Sequence, residues 1–223
     1  STTKKQDAVR RCISEGYECE KIAIEKIKHF VSKDALNIDG FGKKIVENFW
    51  RLNLVKLPQN IFNLNYEKIK KLEGWGDLSV LNLRYSIDEK KKISLERFIY
   101  SLGIRHIGQE NAKLLAGHLK SSDNFFKLSV NKDMSSLSNI DGIGETQIQS
   151  IKKFFSNKTN LNVLSELKKK LLIKNVSQIN KDGYLKNKTF MLTGKLNGIS
   201  RAEAKALIEK NSGKIISNVN KNL

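Results

Sequence analysis

One short pattern returns four times in this chain, and its return interval limits the fold more than any other feature. Leu36-Asn37-Ile38-Asp39-Gly40-Phe41-Gly42 recurs as Ser138-Asn139-Ile140-Asp141-Gly142-Ile143-Gly144, with Asn, Ile, Asp and both glycines identical. Lys71-Leu72-Glu73-Gly74-Trp75-Gly76 keeps the order hydrophobe, acid, Gly, hydrophobe, Gly. Arg105-His106-Ile107-Gly108 is a degenerate copy, with His106 where the first glycine belongs. The second glycines stand at 42, 76, 108 and 144, at intervals of 34, 32 and 36 residues. Four positions beyond each lies an apolar residue: Val46, Val80, Ala112 or Ile148. A fixed interval of this size marks one supersecondary unit repeated along the chain.

The unit has a physical reading. A helix ends before the hydrophobe-acid pair, a Gly-hydrophobe-Gly turn reverses the chain, and a second helix begins. Glycine permits positive φ and removes a side chain that would hold a ligand away. The hydrophobe between (Phe41, Trp75, Ile107, Ile143) turns inward and anchors the hairpin. Amides of the turn and of the next helix's first turn then face outward unpaired. Such a concavity suits an anion, and phosphate is its natural occupant. A single Gly-x-Gly is more simply a helix cap between two antiparallel helices. Four copies at near-constant spacing favour the ligand.

Helical periodicity dominates elsewhere, and Pro58 is the one proline. Ile22, Ile27, Phe30 and Val31 predict a helix over 19–32. Further helices are marked by Ile45, Val46 and Phe49; by Leu78, Leu81 and Tyr85; and by Leu95, Phe98, Ile99 and Leu102. Ala112, Leu115 and Leu119 mark the next, then Phe125, Phe126 and Leu128 after an expected Ser122-Asp123 cap. Ile148, Ile151, Phe154 and Phe155 mark another, followed by 161–171. The connections are short, as in a compact helical array. Beyond residue 185 the pattern becomes β-α-β. Thr189–Thr193 has strand character, Ser200-Arg201-Ala202-Glu203 fits a capping box, and the helix is expected to end at a left-handed Gly213. Lys214–Ser217 then reads as a second strand. Two strands and one helix are too little for an ordinary independent domain, so this segment is expected to be part of a larger one.

Charge points toward polyanions but needs its distribution. The net charge is +18, which favours nucleic acid as a partner. Residues 149–223 carry 16 basic and 4 acidic groups, net +12, whereas residues 36–148 are only +4. The repeats therefore cannot rely on bulk charge, and amide-lined turns answer that difficulty. No run approaches 18 apolar residues and no secretory leader opens the chain, so a membrane span is not expected. Two cysteines, Cys12 and Cys19, cannot build a disulfide scaffold.

These hairpins resemble the helix-hairpin-helix motif. Four in succession, with Leu102-Gly103-Ile104-Arg105-His106-Ile107-Gly108 as the third, look like the C-terminal half of the bacterial NAD-dependent DNA ligase family, and the resemblance covers essentially the whole chain. Lys188-Thr189-Phe190-Met191-Leu192-Thr193-Gly194 with Ser200–Lys205 is similar to the start of a BRCT domain. The expected fold is mainly α: tandem helix-hairpin-helix repeats, with a zinc-finger remnant before them and a truncated β-α-β BRCT-like segment after. The resemblance divides the chain into 1–33 (end of the finger and a connecting helix), 34–157 (four motifs), 158–185 (helical linker) and 186–223 (part of a BRCT domain). It implies non-sequence-specific binding of duplex or nicked DNA in replication and repair. The residues expected to meet DNA are Gly40, Phe41, Gly42, Lys43, Lys44, Gly74, Trp75, Gly76, Arg105, His106, Ile107, Gly108, Gly142, Ile143 and Gly144. A cytoplasmic, nucleoid-associated monomer follows from the same resemblance.

Cofactors follow only from the resemblance. Six residues separate Cys12 and Cys19, and spacing alone favours two free thiols. The family places four cysteine ligands on zinc, which implies that these two are the last pair, with the first pair upstream. NAD and magnesium would serve an adenylation domain. That domain's nucleophilic Lys-x-Asp-Gly has only imitations here: Asn37-Ile38-Asp39-Gly40 and Asn139-Ile140-Asp141-Gly142 carry asparagine, and Lys181-Asp182-Gly183 lacks the spacer. Asparagine cannot be the nucleophile, so this chain is expected to be inactive alone. His29 and His118 suit helix C-termini. His106 is either a phosphate donor or a turn residue. Lys168-Lys169-Lys170 is either a solvated face or a source of phosphate contacts. The rivals are a repair nuclease or recombination factor using the same motif, and a BRCT-based protein scaffold.

Overall fold

The computed structural model describes residues 16–176 except 18 and 132, and residues 183–216 except 195 and 197. Its contacts divide the chain into two units, one ending at Val176 and one beginning at Ser177.

In the first unit, α1 (Glu20–Val31) buries Ala23, Ile27, Phe30 and Val31 along one stripe, and α2 (Lys43–Arg51) buries Val46, Phe49 and Trp50. A 3₁₀ turn (Pro58–Asn63) opens on the proline, and Asn60 Oδ1 accepts the Leu57 amide at 2.8 Å. Next come α3 (Tyr66–Lys70), α4 (Asp77–Glu89), β1 (Lys92–Ser94), α5 (Leu95–Ser101) and α6 (Gln109–Leu119). The series ends with α7 (Ser122–Asn131), a 3₁₀ turn (Ser135–Asn139), α8 (Glu145–Ser156), α9 (Lys158–Lys170) and β2 (Leu172–Lys174). One continuous apolar core runs through all these helices. Phe125 sits at its centre, with ring centroids 6.0 Å from Phe98 and 5.6 Å from Phe155.

Three details differ from the sequence reading. First, α4 exists, but Leu78, Leu81 and Tyr85 lie on its solvent side at 70%, 62% and 68% exposure. The helix instead buries Leu83 and Ile87, with Val80 half-buried. Positions 78, 81, 85 and 80, 83, 87 have the same spacing, so periodicity alone could not choose between the faces. Second, α7 is capped one residue earlier than expected: Ser121 Oγ accepts the Asn124 amide at 3.2 Å. Third, residues 158–176 do not hang between units. Helix α9 buries Val163, Leu164 and Leu167, and β2 pairs in parallel with β1 in the register Lys92↔Leu172, Ile93↔Ile173, Ser94↔Lys174. The contacts place one division, after Val176. Three-residue strands carry almost no sequence signal, and long-range pairing carries none.

The second unit is a parallel β-α-β element: β3 (Thr189–Phe190), α10 (Arg201–Lys210) and β4 (Lys214–Ile215). The capping box is formed, with Ser200 Oγ accepting from the Glu203 amide at 3.2 Å and Glu203 Oε2 from the Ser200 amide at 2.8 Å. Ser200→Ala should therefore cost about 1 kcal/mol, read as faster amide exchange along α10. Unchanged protection there would mean that packing alone fixes the helix end. The left-handed residue after α10 is Ser212 (φ 67°), not Gly213. Glycine at 213 serves packing, since a Cβ would stand 2.6 Å from Ile208 Cγ2 and 3.1 Å from Phe190. Ser217, expected in the last strand, lies outside the described residues.

Candidate nucleic-acid interface

All four hairpins share one backbone design. The first turn position is left-handed: Gly40 φ 75°, Gly74 φ 80°, His106 φ 62° and Gly142 φ 87°. The second is an inward hydrophobe, with Phe41, Ile107 and Ile143 buried and Trp75 half-buried against the core. Its amide closes the turn in every copy: Phe41 to Ile38 O at 3.3 Å, Trp75 to Leu72 O at 3.1 Å, Ile107 to Ile104 O at 3.1 Å and Ile143 to Ile140 O at 3.0 Å. The third is an extended glycine that caps the following helix. There the carbonyl accepts from the apolar residue four positions on: Val46 at 3.1 Å, Val80 at 3.1 Å, Ala112 at 2.9 Å and Ile148 at 3.2 Å. His106 is thus a turn residue by backbone, its carbonyl held by Asn111 Nδ2 at 2.9 Å and its side chain exposed.

The two glycines of a hairpin are needed for different reasons. Gly40 and Gly74 must be left-handed, which costs other L-residues roughly 1–2 kcal/mol. Gly40→Ala should therefore lower stability by about that amount, measured by urea unfolding followed through tryptophan fluorescence. Gly42 and Gly108 have negative φ that any residue adopts, and a Cβ there would meet no heavy atom within 4 Å. Gly76 is likewise open. Nothing inside the described fold requires glycine at 42, 76 or 108. A side chain there would only stand in front of the amides that begin the next helix.

The four hairpins are not equivalent. In the second, Ser79 Oγ accepts the Gly76 amide at 2.9 Å, and in the fourth, Gln147 Oε1 accepts the Gly144 amide at 3.2 Å. Both of their helices also begin with an acid, Asp77 or Glu145, which already answers the helix dipole. Asp77 further holds Lys70 at 2.5 Å, and that hydrogen bond and charge raise the Lys70 pKa. By contrast, the Gly42 and Gly108 amides have no side-chain cap among the described residues, although the third hairpin's helix also carries an acid, Glu110, in its first turn. The first hairpin's helix opens on exposed Lys43 and Lys44 with no acid in its first turn. Among the described residues Lys43 reaches Glu47, at 4.0 Å. Exposed Arg105 flanks the third. Sequence reasoning missed Ser79 and Gln147. Their third-helical-residue position, reaching back to the cap, was the available signal.

The hairpins associate in pairs. Phe49 lies 5.6 Å from Phe41 and 5.6 Å from Trp75, joining the first and second. Gly142 in the fourth approaches α6 of the third so closely that a Cβ would stand 2.9 Å from Leu114 Cδ1. The basic run lies elsewhere, in the last turn of α9, where cations suit the dipole. Lys168 faces Asp123 at 3.7 Å and the Phe126 ring at 4.8 Å. Lys169 holds Glu166 at 2.6 Å and lowers its pKa. His29 has a packing role, with Nε2 2.7 Å from the Tyr100 carbonyl and its ring on the edge of Tyr100. His118 closes α6.

Cys12 lies outside the described residues. Cys19 is a half-buried free thiol preceding α1. No group of three or more His, Cys, Asp or Glu is placed to hold a metal among the described residues. Cys19 alone does not make a tetrahedral zinc site, so the described donors do not by themselves fit the ion.

With this geometry in hand, the comparisons with known proteins fall on the same feature. The helix-hairpin-helix motif family matches residues 97–164, which span the third and fourth hairpins. A DNA ligase of Pelagibacter ubique is 81% identical over 222 residues. DNA ligases of Wolbachia pipientis (subspecies Culex pipiens) and Ehrlichia chaffeensis are 42% and 41% identical, over 94% and 98% of this chain. The chain spans about a third of the length of each of these curated relatives.

Proposed function

The chain belongs to the DNA ligase family, and from that premise we propose that it is the part that grips duplex DNA, without sequence preference, around a nick to be sealed. One observation carries the reading: glycine at 42 and 108, ahead of the two helices without a side-chain cap, is required neither by backbone conformation nor by space within the described fold. It clears the approach to helix-initial amides, and the ligand that docks on such amides is phosphate. Contacts to the backbone position a protein without specifying sequence, which suits an enzyme acting at any nick.

The hairpins divide the work. The first, whose uncapped helix opens on Lys43 and Lys44, is the strongest phosphate site, and the third follows with Arg105. The second and fourth, self-capped by Ser79 and Gln147, act mainly by packing the other two in place. In this reading nucleotide adenylation, with its NAD and magnesium, takes place elsewhere in a longer ligase. Cys12 and Cys19 would join two further ligands there to hold zinc, and the β-α-β unit would belong to a BRCT domain. Zinc content of the longer protein, measured with and without Cys19→Ser, tests that part. No helix among the described residues is long and apolar enough to cross a membrane.

The direct test is a salt titration by fluorescence anisotropy on nicked and intact duplexes of two unrelated sequences. Three cations, Lys43, Lys44 and Arg105, predict a slope of log affinity against log salt of roughly −3, the same for both sequences. A strong preference for one sequence, or affinity indifferent to salt, would overturn the reading.

A further inference from the structure

Four hairpins with one backbone carry four different residues at the third position of the helix that follows: Ile45, Ser79, Asn111 and Gln147. The capping glycines are alike. All are extended, with ψ 175°, 177°, −175° and 178° at 42, 76, 108 and 144. All four third residues are half-buried, so what differs is their chemistry. Ser79 and Gln147 carry an oxygen that accepts the amide of their own glycine, at 2.9 Å and 3.2 Å. Isoleucine has no acceptor to offer. Asn111 has one, but its side chain is engaged with the preceding turn, where Nδ2 donates to His106 O at 2.9 Å. A carbonyl only accepts, so the nitrogen must be the atom that faces it. That bond answers a local need. His106 holds, at φ 62°, the left-handed conformation that the other three hairpins give to glycine, and such a residue persists only where its surroundings hold it. The third hairpin thus commits its reach-back side chain to the turn, and the Gly108 amide has no side-chain cap among the described residues.

We propose that this third residue decides which hairpins take a DNA phosphate: Ile45 and Asn111 leave the glycine amide to the ligand, whereas Ser79 and Gln147 occupy it from within. The inference rests on the hairpin reading above and adds the side chain that governs it. A backbone amide has one proton to give, so an amide held by Ser79 or Gln147 is withheld from an incoming oxygen until that bond breaks. At the fourth hairpin the occupant also stands in the approach. Gln147 Oε1 is 3.3 Å from where a Cβ on Gly144 would sit, whereas no described atom lies within 4 Å of the same point at Gly42 or Gly108. First-turn acids do not sort the hairpins in this way, since the third has Glu110 as the second has Asp77 and the fourth Glu145. The third residue does sort them, and one or two substitutions should convert one kind of hairpin into the other.

The experiment rewrites two hairpins in the full chain. Affinity for a nicked duplex is read by fluorescence anisotropy, and exchange of the Gly42 amide by NMR. Ile45→Gln gives the first hairpin the acceptor of the fourth, and Ile45→Met matches its reach without one. The glutamine variant should protect the Gly42 amide and bind about fivefold more weakly than the methionine variant, the worth of one net hydrogen bond. In the third hairpin, His106→Gly with Asn111→Ser copies the second. It should bind about fivefold more weakly than His106→Gly alone, by the same reasoning. Glutamine and methionine variants that bind alike overturn the proposal. So does a Gly42 amide no better protected by glutamine than by methionine, because position 45 then does not govern it. A double variant that binds as tightly as His106→Gly overturns it too. Gly42→Val separates this inference from the reading beneath it. If Gly42→Val weakens binding while Ile45→Gln matches Ile45→Met, the hairpin holds DNA and the third residue does not choose. If Gly42→Val also binds normally, the hairpin reading itself has failed.

Discussion

Gly42→Val is expected to weaken duplex binding tenfold to about a hundredfold and to leave the fold intact. The loss corresponds to one charge-assisted hydrogen-bonded contact, about 1.5–3 kcal/mol. Stability should change little because valine is at home at φ −72°, ψ 175°, and no atom lies within 4 Å of the added Cβ. The remaining cost is that of an unfavourable cap, about 1 kcal/mol, or roughly 2–4 °C in melting temperature for a chain of this size. Gly108→Val should act in the same direction. Gly144 is a weaker probe, since a Cβ there crowds Gln147 Oε1 at 3.3 Å and disturbs the self-cap. The control is Lys169→Ala with Lys170→Ala, which removes two charges from the last turn of α9. A larger loss from the lysine pair than from Gly42→Val would mean that tail charge, not the hairpin, holds DNA. Equal affinity for heparin in all variants would lead to the same conclusion.

That design was legible because it is local and repeated. A left-handed residue, an inward hydrophobe and an extended glycine follow from residue types alone, and the apolar residue four positions on fixed which helical face turns inward. The error on α4 shows the limit. Leu78, Leu81 and Tyr85 are larger than Val80, and moment-like reasoning chose them. Register with Val46, Ala112 and Ile148, all buried, would have chosen Val80 and hence Leu83 and Ile87. What could not be read was non-local. The pairing of β1 with β2 joins residues 92–94 to 172–174 and depends on how the five helices α5 to α9 fold between them. The burial of Asn160, whose Nδ2 donates to Phe154 O at 3.1 Å, is likewise a property of packing, since the sequence shows only one asparagine among many. The acids and reach-back side chains at the second and fourth hairpins lay in plain view but mattered only once all four backbones proved alike.

Those likenesses also explain how a segment of low net charge can meet a polyanion. The inward hydrophobe anchors each turn, and the turn aims its amides. Burying a phenylalanine contributes about 2–3 kcal/mol, whereas an exposed lysine pair contributes well under 1. The geometry of the amides is thus held by the core rather than by surface ions, and changes in salt should leave the hairpins in place while weakening the counter-ion part of binding.

Phe49→Ala should give the largest loss of stability of any substitution considered. The ring is fully buried and touches both Phe41 and Trp75, so it joins the first two hairpins. Emptying such a site costs about 3–5 kcal/mol through lost transfer energy and the cavity left behind, or roughly 6–20 °C in melting temperature. Tryptophan fluorescence reports it well, since Trp75 packs on Phe49, Trp50 follows it in the chain, and these are the chain's two tryptophans. Leu81→Ala, on the exposed side of α4, should stay within about 0.5 kcal/mol and serves as the comparison. Below its melting temperature the Phe49 variant should also bind duplex less tightly than Gly42→Val, because two turns lose their anchor rather than one its clearance. A variant that melts early yet binds DNA normally would show that the first two hairpins do not carry the contact. A variant as stable as Leu81→Ala would show that Phe41 and Trp75 pack without it.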